Sequence, residues 1–221
     1  MEKWIDIISS RSTTFSWTDE LIPKEVIQEV CEEVHKYCPS KNRKIPYIVE
    51  VIRNTDYQQR KDLHIGCHRN TDFGIDEDKG NPQVLAPTLL VFSKRDVVEA
   101  ETRYQTIEKR VEDGIANTDN IEIGMAALSF LYGLTSRGWD TGLCQCVRSR
   151  SGTARLLGTN GSTDLLIGVG RRNTIDAVTG QDTKWPKYID PRNDQPREIP
   201  YPYGISPYPK PAFEDIYKIK F

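Results

Sequence analysis

The sequence is poor in the features that assign a function quickly. Among 221 residues there are three histidines, His35, His64 and His68, and none stands near a nucleophile motif, a poor endowment for a Ser-His-Asp or Cys-His hydrolase. Charge of one sign is also missing. With 30 basic and 32 acidic residues the net charge is −2, without the strong field that selects nucleic acids or anionic membranes. No apolar run approaches the ~20 residues that cross a bilayer. The opening Met1-Glu2-Lys3-Trp4-Ile5-Asp6 carries acids where a secretory signal has a basic region and then an apolar stretch. The expectation is therefore a cytoplasmic protein whose partner is a small soluble molecule, with no nucleic acid and no membrane.

Cysteine is present without a pattern. Cys31, Cys38, Cys67, Cys144 and Cys146 form an odd set with no regular spacing, in a chain too large to need staples, and are read as reduced thiols. Cys144-Gln145-Cys146 admits a redox pair or two metal ligands. Packing is favoured, because the flanking Leu143 and Val147 read as a strand and residues two apart then share one buried face. His64, Cys67 and His68 fit no zinc spacing and are expected in a polar loop. No metal is expected.

What the sequence does contain is an alternation of helical and extended patterns. Trp4, Ile5, Ile7 and Ile8 give a short helical pattern over residues 3 to 11, running into the hydroxyl-rich Ser9-Ser10-Arg11-Ser12-Thr13-Thr14, a natural phosphate-binding loop. A second helix carries Val26, Ile27, Val30, Cys31 and Val34 at spacings of three and four, with Asp19 as its cap and Pro23 in its first turn, and it ends by Pro39. Tyr47 to Ile52 and Leu89 to Phe92 read as strands, separated by a polar loop from Arg53 to Asn81; a polar helical segment follows to about Arg110. From Ile121 to Leu134 apolar residues fall on every side with Gly124, Ala126, Ala127, Ser129 and Gly133 between them. That is a helix buried all round, at the centre of the protein or of a dimer. Gly138 and Trp139 break it, Thr141 to Val147 resume an extended pattern, and Leu165 to Gly170 is a further buried strand.

These elements indicate one domain of α/β or α+β class over residues 1–187, followed by an arm over 188–221. Eight of the 13 prolines lie between Pro186 and Pro211, interleaved with Tyr188, Tyr201, Tyr203 and Tyr208. Proline forbids a helix or central strand there, and the aromatics argue for a segment laid on a surface, the chain's own or a partner's.

The order of these features resembles the nitroreductase family over most of residues 4 to 187. Ser10-Arg11-Ser12-Thr13-Thr14 stands where the family holds the flavin phosphate and ribityl chain. Pro39-Ser40-Lys41-Asn42, with Pro46-Tyr47 behind it, is similar to the family's Pro-Ser segment. The small-residue helix and Gly138-Trp139-Asp140-Thr141-Gly142 resemble the family's central helix and the turn after it, which would bring the backbone of Gln145 and Cys146 to the flavin. Lys184 and Lys187, after the last strand, stand where members return basic side chains to the phosphate. The chain departs from the pattern at Thr14, where many members have a cation, and at Ile45, where many have Gln; either Asn42 or Arg43 occupies the place of a family Asn. Arg171 and Arg172 follow a strand and are read as solvent-facing, so Arg11→Ala is expected to weaken flavin binding more than Arg172→Ala.

The resemblance implies an α+β fold with a central mixed sheet flanked by helices, in an intertwined homodimer. It further implies FMN as cofactor, NADH or NADPH as hydride donor, and a nitroaromatic, quinone or similar flat electrophile as acceptor in a ping-pong reaction. The flavin carries the chemistry, so no catalytic side chain is named. The implied cofactor contacts are Ser10, Arg11, Ser12, Thr13, Thr14, Pro39, Ser40, Asn42, Arg43, Gln145, Cys146, Lys184 and Lys187. Two alternatives stand beside this reading: a flavin-free or weakly flavin-binding dimer with a binding or structural role, and an FMN protein that NAD(P)H does not reduce.

Overall fold

The computed structural model describes residues 2–40, 45–71, 74–95, 118–147, 149–159 and 161–199. The polar helical segment expected to about Arg110 lies outside these residues for the most part, as do Asn42, Arg43 and positions 200–221 of the arm.

Four strands make the central sheet: β1 (Tyr47–Arg53), β4 (Thr88–Lys94), β5 (Asp140–Cys144) and β6 (Thr163–Gly170), in the order β1-β4-β6-β5 with antiparallel pairing throughout. A parallel element comes from Thr13, which bridges to Thr141 on the β5 edge. The two inner strands are buried on both faces, which is why β4 and β6 read as continuous apolar runs. Their alternation separates two cores. Leu90, Phe92, Leu165, Ile167 and Val169 face helices α2 (Lys24–Tyr37) and α4 (Thr118–Thr135). Leu89, Val91 and Leu166 face helix α3 (Tyr57–Gly66), the 3-10 turn Pro82–Leu85 and helix α5 (Arg150–Leu157). The result is a three-layer α+β sandwich.

Small residues set the distances between layers. A Cβ on Gly133 of α4 would stand 3.0 Å from Val30 Cγ1, so the glycine admits α2. On β6, a Cβ at Gly168 would come within 2.2 Å of the Gln83 carbonyl oxygen and 2.7 Å of Ala86 Cβ. Backbone cannot swing aside as a side-chain tip does. Gly168→Ala is therefore expected to cost about 1–3 kcal/mol by overpacking, read as a lower urea midpoint at unchanged slope; an unaltered midpoint would contradict the close approach.

Several sequence expectations change. Helix α2 is not capped by Asp19, which pairs at 2.9 Å with Arg60 instead; Pro23 holds the cap position without a side-chain hydrogen bond. The expected loop from Arg53 to Asn81 contains α3, capped by Asp56 accepting from the Gln59 N–H, and a hairpin of β2 (His68–Thr71) with β3 (Gly74–Gly80). His64 and Cys67 are fully buried rather than loop residues. In α4, Ile123, Ala126, Ala127, Phe130, Leu131 and Leu134 are buried, but Ile121 and Leu128 are exposed in the single chain.

The described part of the arm forms a hairpin, β7 (Tyr188–Asp190) with β8 (Gln195–Arg197), held to α3 by the chain's own contacts. The Tyr57 hydroxyl bonds to Asp194 and to the Pro191 carbonyl, and the His64 ring meets Tyr188 edge-on at 6.1 Å.

Candidate functional site

Strand β5 starts where two other pieces of chain converge on it. After α1 (Glu2–Ser10) the chain passes the β5 edge: the Thr14 N–H donates to Thr141 O at 3.0 Å, and Thr13 forms its bridge there. Three residues on, the same segment meets the exit of β6. Thr18 N–H donates to Arg171 O at 2.9 Å, and Asn173 N–H to Ser16 O at 2.9 Å. Gly142 permits this approach, since a Cβ there would stand 2.7 Å from Thr14 O.

The Arg172 side chain closes the convergence. Its Nη2 donates to Ser12 Oγ at 2.5 Å, to Thr14 Oγ1 at 3.4 Å and to Asp140 Oδ1 at 3.3 Å, while its backbone N–H donates to Asp140 Oδ2 at 2.9 Å. Thr14 is fully buried and the Arg172 side chain is only 25% exposed, so this arginine is not a solvated strand end. Thr141 Oγ1, buried on the same strand, has no hydrogen-bond partner. A guanidinium among hydroxyls has the donors an anion site needs, since planar charged donors suit phosphate oxygens, and here the Asp140 carboxylate at 3.3 Å takes up part of its charge. Arg171 is different. It lies over the Trp139 ring at 4.0 Å with its side chain 38% exposed.

From this cluster β5 runs to Gln145 and Cys146. Four residues of strand span about 13 Å. Gln145 is exposed and Cys146 half-buried, and Gln83 on the 3-10 turn donates to Leu143 O at 2.8 Å, fixing the turn against the strand.

The other expected contacts are distributed more widely. Ser10 is exposed at the end of α1, its hydroxyl bonded to Ile7 O at 3.1 Å, and Arg11 and Thr13 are half-buried. Pro39 and Ser40 lead towards α4: Ser40 Oγ donates to the buried Glu122 at 2.6 Å and accepts the Ile45 N–H at 2.9 Å. Beside them, burial, with Cys38 and Glu122 close by, pushes the Tyr47 hydroxyl up to about 12. Lys184 places its ammonium 4.9 Å from the Trp185 ring centre. Lys187 lines a cavity of about 340 Å³ with Phe15, Ser16, Trp17, Tyr57 and Arg60, on the continuation of the Ser12–Thr14 segment.

Asp176 holds the loop that carries both lysines. Its carboxylate accepts N–H groups from Lys187 at 2.9 Å, Thr179 at 2.9 Å and Val178 at 3.0 Å, together with the Thr179 hydroxyl at 3.2 Å. Donors from Lys187 and Thr179, chiefly, hold its acid constant down to about 2. A carboxyl lowered by folding stabilises the fold fully above its unfolded value of about 3.9 and loses that contribution as pH falls towards the folded value. Asp176→Asn is thus expected to lower stability at pH 6 and to lose its difference from the parent protein between pH 4 and 2, seen in paired melting curves. A difference independent of pH would contradict the anchoring role.

The signal that could have found Arg172 is present in the sequence. Its β6 runs without a break into Arg171-Arg172, and successive residues leaving a strand point to opposite sides. One of the pair must then point back across the sheet end, and the register that decides which one comes only with the fold.

The sequence matches no family model and no curated protein. Solved structures do match by fold. A nitroreductase-like protein of Streptococcus mutans superposes with a TM-score of 0.64 at 14% identity, covering 100% of this chain and 99% of that one. A nitroreductase family protein of Streptococcus pneumoniae TIGR4 gives 0.63 at 14% identity over 98% and 100%. A nitroreductase with bound FMN from Desulfitobacterium hafniense DCB-2 gives 0.55 at 15% identity over 83% and 93%. No described helix is long and apolar enough to cross a membrane. The chain has the nitroreductase-like fold.

Proposed function

We propose that this chain is an FMN-dependent oxidoreductase that takes hydride from NADH or NADPH and reduces a nitroaromatic, quinone or similar flat electrophile in ping-pong order. The observation that carries the reading is the placement of the Ser12, Thr14 and Arg172 cluster at one end of β5 and of Gln145-Cys146 at the other. In this assignment Arg172, Arg11 and the hydroxyls of Ser10, Ser12, Thr13 and Thr14 bind the phosphate, with Lys184 and Lys187 adding charge from the Asp176 loop. Pro39, Ser40 and Asn42 or Arg43 border the ring. The backbone N–H groups of Gln145 and Cys146 orient dipoles at the ring edge, where they stabilise added negative charge. When bound, FMN supplies the two-electron chemistry, which explains why no catalytic side chain is needed.

A homodimer belongs to the same proposal. Trp4, Ile5, Ile8, Tyr37, Ile121 and Leu128 are large, apolar and exposed on α1, α2 and α4, beside a groove lined by Ile7 and Tyr132. Apolar surface of this kind calls for a covering partner, and a second copy is assigned to it. A cytoplasmic location is proposed with it.

Asp140 favours the second reading, a weakly flavin-binding or flavin-free dimer, because its carboxylate already neutralises Arg172 at 3.3 Å. One spectrum separates the readings. The protein is mixed with excess FMN, desalted, and scanned before and after anaerobic NADH or NADPH. A retained flavin spectrum that bleaches supports the oxidoreductase. A colourless protein supports the flavin-free dimer, and retained flavin that neither nucleotide bleaches means that electrons come from another donor.

A further inference from the structure

The cavity of about 340 Å³ lies where three distant pieces of chain meet: Phe15 to Trp17, helix α3 at Tyr57 and Arg60, and strand β7 with Lys187 just before it. It stands apart from the Arg172 cluster. Ser12 and Thr14 turn their hydroxyls to Arg172, whereas Phe15 and Trp17, the alternate residues of the same segment, line the cavity, as the side-to-side alternation of extended chain allows.

Its walls are aromatic and fixed. Trp17 Nε1 donates to Pro82 O at 3.0 Å, and a Cβ at Gly168 or Gly170 would stand 3.2 or 3.1 Å from the indole, so strand β6 backs the ring closely. Phe15 and Tyr188 are buried together in one cluster. Burial above all pushes the Tyr188 hydroxyl up to about 12, so this wall stays neutral. Rigid aromatic walls favour a planar ligand, since little of the protein has to be ordered on binding.

The charge of the lining sets the charge of the occupant. One acid, Asp19, stands against two bases, Arg60 and Lys187. Asp19 and Arg60 pair at 2.9 Å and offset each other, on an aspartate whose side chain is 89% exposed. Lys187 is half-buried, and among the described residues no carboxylate pairs with its ammonium. Neighbouring acids are taken up elsewhere: Asp176 accepts N–H groups from Val178, Thr179 and Lys187, and Asp194 accepts the Tyr57 hydroxyl. The Lys187 backbone is pinned on both sides, its N–H on Asp176 at 2.9 Å and its carbonyl accepting the Ala177 N–H at 3.1 Å. One half-buried cation without a counter-ion matches a monoanion, and a phosphate dianion would enter with one charge unmatched. The volume is near the lower end of small-molecule sites, roughly 300–1,000 Å³, which suits one or two rings rather than a dinucleotide. We propose that this cavity binds a planar aromatic monocarboxylate of one or two rings, its ring against Phe15, Trp17 and Tyr188 and its carboxylate on the Lys187 ammonium.

The inference does not rest on the flavin reading, and its test is run without FMN. The full chain is titrated by calorimetry with 2-naphthoate and, separately, with the uncharged 2-naphthylmethanol. The expected result is one naphthoate per chain, bound at least tenfold more tightly than the alcohol. Lys187→Gln should shrink that preference, while Lys184→Gln, at a lysine that does not line the cavity, should leave it as in the parent. Ala177 is exposed and lines the cavity, so Ala177→Trp fills the space from outside the core and should weaken naphthoate at least tenfold, with circular dichroism to establish folding. Saturating FMN should not displace the naphthoate. No binding of naphthoate, equal affinity for acid and alcohol, or parent-like binding by either folded Ala177→Trp or Lys187→Gln would overturn the proposal. So would displacement by FMN, which would make the cavity part of the flavin site.

Discussion

Replacing Arg172 with alanine is expected to raise the FMN dissociation constant about ten- to a hundredfold, more than the loss of Arg11. A charge-assisted hydrogen bond contributes about 1.5–3 kcal/mol, and about 1.4 kcal/mol is a factor of ten in affinity. Arg172 reaches both Ser12 and Thr14 from the end of β6, whereas the bond at Arg11 is a backbone one, its N–H to Ile7 O at 3.1 Å. The order is therefore the reverse of the one expected from sequence position. Arg172→Lys should recover little, because an ammonium cannot present the planar fork. Fluorescence titration of FMN into the two alanine variants decides the matter, with circular dichroism to establish folding. Equal constants in folded Arg11→Ala and Arg172→Ala proteins would remove Arg172 from the site.

The second large effect is expected at Asp190, a residue that the sequence pattern does not single out. This carboxylate is fully buried and meets Arg192 Nη2 at 2.5 Å, Arg197 Nε at 3.4 Å and His64 Nε2 at 3.7 Å. Removing one partner of a buried charge cluster leaves the others without compensation, at a cost of about 3 kcal/mol or more. In a domain of this size that lowers the melting temperature of Asp190→Asn by roughly 6–12 °C. The hairpin Tyr188–Arg197 should also become sensitive to protease, since the cluster and Tyr57 are what fasten it to α3. Burial acts to raise the Asp190 acid constant, but hydrogen bonds from Arg192 and the nearby charge of His64 outweigh it and hold the carboxyl below its ordinary value. The stabilisation is then complete above about pH 4 and fades as pH falls further, so parent and variant should converge in acid. An unchanged melting temperature at pH 7 would show that the cluster is neutral in net effect.

Legibility in the sequence followed burial. Strands β4 and β6 are enclosed on both faces, so their apolar runs were unmistakable, and α2 shows its buried stripe of Ile27, Val30 and Val34 at helical spacing. Helix α3 was hidden because Tyr57 is followed by Gln58, Gln59, Arg60, Lys61 and Asp62 and the helix buries only Leu63 and His64; its one readable mark was the Asp56 cap. Helix α5 buries Thr153, Ala154 and Leu157, too few for a pattern, though Ser149 caps it and Gly158 ends it in the left-handed conformation at φ 67°. Local capping rules would have found both.

In the candidate site, the hydroxyl cluster could be read because its residues are consecutive, from Ser10 to Thr14. Arg172 and Asp140 could not, since Arg172 reaches Asp140, Ser12 and Thr14 only through the pairing of β5 with β6 and of Thr13 with Thr141. The same holds for the meeting of Cys67 and Cys144 in one core. Sequence gives Cys144 and Cys146 two residues apart, but Cys67 arrives through the packing of α3 on the opposite face from α2. Contacts made by topology rather than by spacing were the ones out of reach.

The most direct measurement is a pair of fluorescence titrations, FMN and riboflavin, into the same purified protein. The two ligands share the ring and the ribityl chain and differ in the phosphate, which is the part assigned to Ser12, Thr14 and Arg172. The account predicts that FMN binds at least tenfold more tightly than riboflavin and that the difference shrinks in Arg172→Ala more than in Arg11→Ala. Equal affinities in the parent protein, or no binding of either ligand, would contradict it.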